Sequence, residues 1–185
     1  MNCITIRNAK TDDIDSISRL QRQINQYHIQ WLTEAERATP HPEPDKAFWD
    51  TWLNDEQHQI LLAEQNGLII GCAMVRETET PHYPHTVKGR HAQLCTLVVD
   101  EQYWRQGVGS ILIKAVRRWA RNRSLGHVML NACYKNTNAV KFYVQQGFTP
   151  RVLQFDGVVE EQEPAMRGQS RNDKNHRVGV LLDYL

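Results

Sequence analysis

The chain has 185 residues, of which 41% are hydrophobic, so it suits one domain with a substantial core and leaves two independent domains cramped. Its 22 lysines and arginines balance 21 aspartates and glutamates, and the net charge of +1 gives no general attraction for nucleic acid or an acidic membrane surface. The four cysteines form no CxxC pair, which argues against a zinc site or a disulfide-stapled secreted fold.

The N-terminal part predicts one strand and two helices. A short strand is expected at CITIR (3–7), and apolar residues then recur at helical spacing from Ile14 to Trp31. The prolines of TPHPEP (39–44) end that pattern, because each restricts the residue before it. DKAFWDTWLND (45–55) then predicts a shorter helix rich in aromatic residues.

No segment predicts export or membrane insertion. The first ten residues carry charges and lack an apolar core of signal length, and no later stretch is long and apolar enough for a membrane span. We therefore expect a cytoplasmic protein with no membrane and no nucleic-acid partner.

The middle of the chain predicts a hairpin and a third strand. QILLAEQ (59–65) and LIIGCAMVRE (68–77) flank Asn66-Gly67, a pair that supplies the positive φ angles of a type I′ turn. A loop with two prolines is expected at 78–91, and AQLCTLVV (92–99) then predicts an apolar strand.

A glycine turn follows that strand and opens a helix. The turn lies in RQGVGS (105–110), and apolar residues mark one face of the helix from Val108 to Trp119 until Gly126 ends it. Farther along, the patterns predict three strands and one helix, at HVMLNAC (127–133), Asn136 to Gln146, VLQF (152–155) and RVGVLLDYL (177–185).

The glycine turn is a candidate anion site. A helix N-terminus leaves backbone N–H groups unpaired and carries a partial positive charge, and glycines expose those groups without Cβ atoms. No GK[ST] follows, so the turn is not a Walker loop, and Leu112 stands where a dinucleotide fingerprint has its third glycine. Taken alone, the pattern is equally compatible with an ordinary loop into a core helix.

A second pattern favours the anion site. LVVDEQYWRQGVGS (97–110), followed by NTNAVKFYVQQGF (136–148), resembles the two motifs of the GNAT superfamily of acyl-CoA-dependent N-acyltransferases. The resemblance implies a single N-acetyltransferase domain over residues 1–185 with an α/β fold. That fold has a mixed, mostly antiparallel central sheet of six to seven strands flanked by helices, with a splayed strand pair that binds acyl-CoA.

The resemblance also assigns the donor site. It implies that the strand before the glycines offers its backbone to the pantetheine arm, that the turn holds the pyrophosphate, and that acetyl-CoA is the co-substrate with no metal. The residues implied in binding acetyl-CoA are Leu97, Val98, Val99, Arg105, Gln106, Gly107, Val108, Gly109, Ser110, Asn136 and Tyr143. One departure is Trp104, where the family often has Gln or Arg, and we expect little loss because the turn works through backbone groups.

The implied reaction is direct attack of an amine on the thioester, through a tetrahedral intermediate. An amine with a pKa near about 10 must first lose a proton. A backbone N–H of the splayed strand can stabilise the oxyanion, and Tyr143 is the implied general acid for the departing thiolate. Without the motif, Tyr143 would be interpreted as an ordinary core aromatic residue.

No general base is assigned. Relatives that acetylate protein N-termini place a glutamate at the position of Asn131, and histone-type relatives place one at that of Gln93, so both residues weaken the protein-substrate interpretation. Alternatives on segments that can line the acceptor site are His28, His41, Glu43 and His91. Cys95 and Cys133 lie on predicted strands, and we expect them to be buried.

The expected function is transfer of an acetyl group from acetyl-CoA to a primary amine of a small molecule. The alternatives are a protein N-terminal or lysine acetyltransferase, and a non-catalytic acyl-CoA-binding sensor of the same fold. The aromatic residues between Tyr27 and Trp52 suit an apolar or cationic amine. They are equally compatible with the core or with the contact of a homodimer.

Overall fold

Strands and helices alternate along the chain in the computed structural model, which describes residues 3–32, 44–79 and 89–152. Their order is β1 (Thr5–Asn8), α1 (Ile14–His28), α2 (Lys46–Asn54), β2 (His58–Gln65), β3 (Leu68–Glu79), β4 (Arg90–Val99), α3 (Val108–Asn122), β5 (Val128–Leu130) and α4 (Thr137–Gln145). Short 3-10 turns occur at Thr11–Asp13, Ile29–Trp31 and Glu101–Tyr103.

The strands form one sheet in their chain order, from β1 to β5. β1 to β4 pair antiparallel, and β5 pairs parallel to β4. The predicted turn between β2 and β3 is confirmed, because Asn66 and Gly67 both have positive φ angles, of 52° and 78°. The α/β class and the mostly antiparallel sheet are therefore confirmed.

The strand count and the bounds of several elements differ from the prediction. The described residues contain five strands, whereas the sequence predicts six to seven. The two further strands, at 152–155 and 177–185, lie outside the described residues except for Val152, which is not in a strand. The helix α3 ends at Asn122 rather than at Gly126, because Ser124 already takes a left-handed φ of 58°.

Helices cover both faces of the sheet. Ile17 and Leu20 of α1 pack with Trp49 and Trp52 of α2 on one face, against side chains such as Met74. α3 packs on the other face, with the core residues Val108, Leu112, Ile113 and Val116. The alternation of side chains along each strand therefore divides the core into two clusters, one on each side of the sheet.

All these elements belong to the first of two compact units, residues 1–148. The second unit is residues 149–185, of which only 149–152 are described. The single domain over residues 1–185 stays a prediction.

Gly71 on β3 sets how closely α3 approaches the sheet. A Cβ atom there would lie 3.1 Å from Leu112 Cδ1, 3.1 Å from the Val98 carbonyl oxygen and 3.2 Å from Val108 Cγ1. We expect Gly71→Ala to lower the free energy of unfolding by about 1–3 kcal/mol, because the side chain overpacks this contact. Urea denaturation measures the change, with an unchanged m value.

Gly126→Ala is the matched control for this prediction, since nothing lies within 4 Å of a Cβ atom built at Gly126. Equal unfolding free energies for the two variants would show that the close approach at Gly71 does not contribute to stability.

Candidate functional site

β4 and β5 separate part of the way along their length. Their parallel pairing joins Ala92, Gln93 and Leu94 to Val128–Leu130. β4 continues to Val99 while pairing with β3 on its other side. In the described part of the chain, one side of β4 is therefore open beyond Leu94, and we call this opening the gap.

The antiparallel ladder decides which backbone groups of β4 face the gap. Asp100 donates its N–H to the Ile70 carbonyl over 2.9 Å, so Asp100 and, two residues earlier, Val98 bond to β3. Leu97 and Val99 alternate with them and direct their N–H and C=O groups into the gap. Of the three strand residues predicted to bind the cofactor arm, Leu97 and Val99 thus offer backbone groups there, and Val98 pairs with Cys72.

Trp104 binds one of these backbone groups through a hydrogen bond. Its indole N–H donates to the Val99 carbonyl oxygen over 2.7 Å. The ring packs edge-to-face on Tyr27 at 5.4 Å, and Tyr27 packs in the same way on Trp31 at 5.0 Å. The departure from the family pattern at Trp104 therefore has a structural role that sequence reasoning missed, and the Val99 N–H and both Leu97 groups still face the gap.

The glycine turn between β4 and α3 leaves backbone donors unpaired. Gly107 caps α3 with a left-handed φ of 85°, and the first helical bond runs from the Ile111 N–H to the Gly107 carbonyl over 3.1 Å. The N–H groups of Val108, Gly109 and Ser110 consequently have no acceptor inside the helix. Nothing lies within 4 Å of a Cβ atom built at Gly107, so there is open space for an anion.

The residues before Gly107 hold the turn in place. Arg105 is exposed and has a positive φ of 60°, which is strained for a residue with a Cβ atom. The Gln106 side chain donates to the Gln102 carbonyl over 2.9 Å, and the Gln102 N–H donates to Asp100 over 3.2 Å. The guanidinium of Arg19 in turn pairs with the other oxygen of Asp100. Sequence reasoning missed Asp100 and Arg19, because the latter lies on α1, far away in the chain.

α4 contacts the glycine turn through Phe142. A Cβ atom at Gly109 would lie 3.1 Å from Phe142 Cζ, so this glycine permits the close approach. Tyr143, the next residue, is half-buried and packs edge-to-face on Phe148 at 5.8 Å. Burial raises the pKa of Tyr143 to about 12, so its hydroxyl stays protonated at neutral pH.

Asn136 has a local structural role. It is buried, and its Oδ1 accepts the Ala139 N–H over 3.1 Å, which caps the first turn of α4. Its predicted contact with the cofactor arm stays a prediction.

A cavity of about 440 Å³ lies over β3, β4 and β5 and reaches the start of the gap at Leu94 and Cys95. Gln93 and Asn131, the two positions considered in the sequence analysis for a general base, both line it. His91 lines it too, but it precedes Leu97 by six residues, or about 20 Å along a strand. An acceptor amine placed at the gap-facing backbone of Leu97 would therefore be too far from His91 for direct proton transfer.

The remaining candidate bases lie elsewhere. His28 is at the C-terminal end of α1, 5.6 Å from the Trp31 ring, and does not line this cavity. His41 and Glu43 lie outside the described residues. Trp49 and Trp52, which were candidates for the acceptor pocket, are core residues.

The prediction of buried cysteines at Cys95 and Cys133 is wrong, since both are exposed. Cys133 lies beyond the end of β5, and Cys95 occupies an irregularity in the β3–β4 pairing. Partial burial of the sulfur raises the pKa of the Cys95 thiol, and the charge of Arg76 opposes this rise. A protonated thiol does not suit a nucleophile at neutral pH.

Within residues 3–32, 44–79 and 89–152 there is no group of three or more side chains that could hold a metal ion. His82 and His85, two histidines three residues apart in the sequence, lie outside these residues. No helix in the same ranges is long and apolar enough to cross a bilayer. A second cavity, of about 340 Å³, is lined by Trp52, and neither cavity is lined by a residue predicted to bind acetyl-CoA.

Comparison with known proteins gives a family match and several relatives. The model of the Acetyltransferase (GNAT) family matches residues 25–148. The amino-acid acetyltransferase of Vibrio atlanticus (strain LGP32) is 22% identical over 176 residues, which are 95% of this chain and 32% of that protein. N-acetyltransferase 8 of Homo sapiens is 24% identical over 98 residues, which are 53% of this chain and 41% of the human protein. The chain thus spans less than half the length of either relative.

Solved structures share the fold. The tetramutant of BH1408 protein from Bacillus halodurans has a TM-score of 0.74 at 18% identity, over 84% of this chain and 99% of that chain. The aminoglycoside N-acetyltransferase AAC(6')-Iy, solved in complex with CoA, has a TM-score of 0.65 at 21% identity, over 85% of this chain and 96% of that chain.

Proposed function

Because the chain belongs to the GNAT acetyltransferase family, we propose that it transfers an acetyl group from acetyl-CoA to a primary amine of a small molecule in the cytoplasm. The observation that carries the proposal is that the gap and the glycine turn both present unpaired backbone groups and lie close together. Leu97 and Val99 face the gap, and the unpaired N–H groups after Gly107 open α3, the helix that follows β4. The Val98 carbonyl oxygen and Val108 Cγ1 lie 3.1 and 3.2 Å from the same Cβ position, that of Gly71. An extended arm that ends in a pyrophosphate needs this arrangement.

The fit to acetyl-CoA rests on backbone chemistry. The N–H groups of Leu97 and Val99 can pair with the amide arm, and the N–H groups at the start of α3 can bind the pyrophosphate. The open space at Gly107 lets phosphate oxygens approach the backbone closely. When bound, acetyl-CoA supplies an acetyl group activated as a thioester.

The protein contributes orientation and proton transfer. A gap-facing N–H, such as that of Leu97, can donate to the carbonyl oxygen as negative charge develops on it. Tyr143 holds a proton on its hydroxyl and is proposed to donate it to the leaving sulfur. Gln93 and Asn131 can hydrogen-bond an amine or a water but cannot accept a proton. We therefore propose that the proton of the amine leaves to water in the cavity.

A second candidate function is an acyl-CoA sensor without turnover. It is favoured by one observation, the amides at Gln93 and Asn131 where a carboxylate base would stand. Such a protein would keep the donor site, and binding of CoA by itself cannot distinguish it from an enzyme.

Thiol release separates the two candidates. We expect release of CoA from acetyl-CoA with at least one class in a panel of amino acids, arylalkylamines, polyamines and aminoglycosides. The last class is included because similar folds occur among aminoglycoside acetyltransferases. Calorimetry with CoA measures donor binding in parallel. Tight CoA binding with no release for any amine would support the sensor, and no CoA binding would contradict both candidates.

A further inference from the structure

Arg76 brings a positive charge to the 440 Å³ cavity over β3, β4 and β5. It lies on β3 directly opposite Gln93 of β4, and Gln93 pairs in turn with Met129 of β5. All three residues line the cavity, because side chains in one row of a sheet lie on the same face. That face is opposite to α3, since the neighbouring residues Ala92 and Leu94 belong to the core beneath α3.

The nearest carboxylate in the sequence does not neutralise Arg76. Glu77 points to the other face, where it is buried and pairs with Arg90 and Arg123. Glu79 lines the cavity but is exposed and three residues farther along β3, or about 10 Å. Among the described residues, no carboxylate lies within salt-bridge distance of Arg76.

Arg76 and the start of the gap line the same cavity. Cys95, which also lines it, directly follows Leu94, the last residue of β4 that pairs with β5. Cys95 precedes Leu97 by two residues, or about 7 Å along the strand. A small molecule with its amine where the gap begins can therefore place a second group beside Arg76.

Arg76 is also the main positive charge of the described cavity lining at neutral pH. Burial lowers the pKa of His91, and a hydrogen bond with Gln93 only partly opposes this effect, so the imidazole is neutral at pH 7. The other residues opposite Arg76, including Gln93 and Asn131, are uncharged.

We propose that Arg76 binds the carboxylate of the acceptor, so that the acceptor class is an amino acid rather than a polycation. This inference rests on the proposed acetyl transfer and specifies its substrate. A guanidinium binds a carboxylate through two parallel hydrogen bonds, which would orient the amine of the same molecule toward the gap. A polyamine or aminoglycoside would place a like charge beside Arg76 and would be disfavoured.

The test uses amino acids paired with the amines that lack only the carboxylate: tyrosine with tyramine, phenylalanine with phenethylamine, and histidine with histamine. For the wild type we expect at least one amino acid to have a kcat/KM about tenfold or more above its paired amine. Arg76→Gln should raise the KM for that amino acid about tenfold and leave the paired amine unchanged. Arg118→Gln removes one exposed charge on α3, outside the cavity, and should change neither.

A binding measurement keeps this inference distinct from catalysis. Saturation-transfer NMR with the same pairs reports occupancy of the site whether or not thiol is released. Failure of thiol release for every acceptor would contradict the proposed acetyl transfer. In that case, an amino acid that binds the wild type and does not bind Arg76→Gln still supports the inference. Equal binding or turnover of acid and amine, or an Arg76→Gln variant identical to the wild type, overturns it. Thermal unfolding verifies that each variant is folded.

Discussion

Replacing Tyr143 by phenylalanine is expected to lower kcat by about 10²- to 10³-fold, because the substitution removes the proposed proton donor for the leaving sulfur. The ring stays, so its packing on Phe142 and Phe148 is retained. The Kd for CoA should change by less than about threefold, since the phosphate and amide contacts come from the backbone of β4 and the glycine turn. Single-turnover kinetics and calorimetry measure the two effects separately.

Tyr134→Phe is the matched control, because that tyrosine is largely exposed and lies before α4. The pH profile gives a further readout. Since burial raises the pKa of Tyr143 to about 12, its ionisation should cause no fall in kcat below about pH 11. Unchanged turnover in Tyr143→Phe would indicate that solvent protonates the leaving sulfur, and the role proposed for Tyr143 would be incorrect.

Gly107→Ala is expected to weaken CoA binding about a hundredfold. The new Cβ atom enters the open space in which the pyrophosphate is proposed to lie, and it blocks charge-assisted hydrogen bonds to the first N–H groups of α3. The residue also has a left-handed φ of 85°, which costs a side chain about 1–2 kcal/mol. Calorimetry with CoA measures the affinity, and thermal unfolding measures the strain.

Gly67→Ala separates these two effects. Gly67 has a similar φ of 78° and open space around its Cβ position, but it lies in the β2–β3 turn. Both variants should lose comparable stability, and only Gly107→Ala should lose CoA affinity. Equal affinities for CoA in the two variants would show that the turn does not bind the phosphates.

The local patterns predicted most of the elements that build the site. Asn66-Gly67 predicted its turn because only a few residues tolerate two successive positive φ angles. The helices predicted at 45–55 and from Asn136 begin at these positions, where the Asp45 and Asn136 side chains each accept an N–H three residues later. The glycine turn and α3 follow from the same kind of short-range signal. The assignment of these residues to an acetyl-CoA site came from a resemblance to a family. Neither the spacing of residues nor the composition could have supplied that assignment.

Other features depended on contacts between distant parts of the chain. The cysteine prediction failed because burial on a strand depends on which neighbours cover it, and the sequence around Cys95 does not contain that information. Trp104 was visible as a departure from a motif, but its bond to Val99 depends on how the turn folds back over the end of β4.

By itself, the sequence determined the order of the described elements, the turn between β2 and β3, and the family to which the motifs point. Only the tertiary structure decided that Leu97 and Val99 face the gap and that Arg76, rather than Glu77, faces the cavity. The physical reason is strand register, since a shift of one residue exchanges both the faces of the side chains and the sides of the backbone groups. Register is set by pairing between β3 and β4 and by the helices packed on the sheet, which lie far apart in the chain.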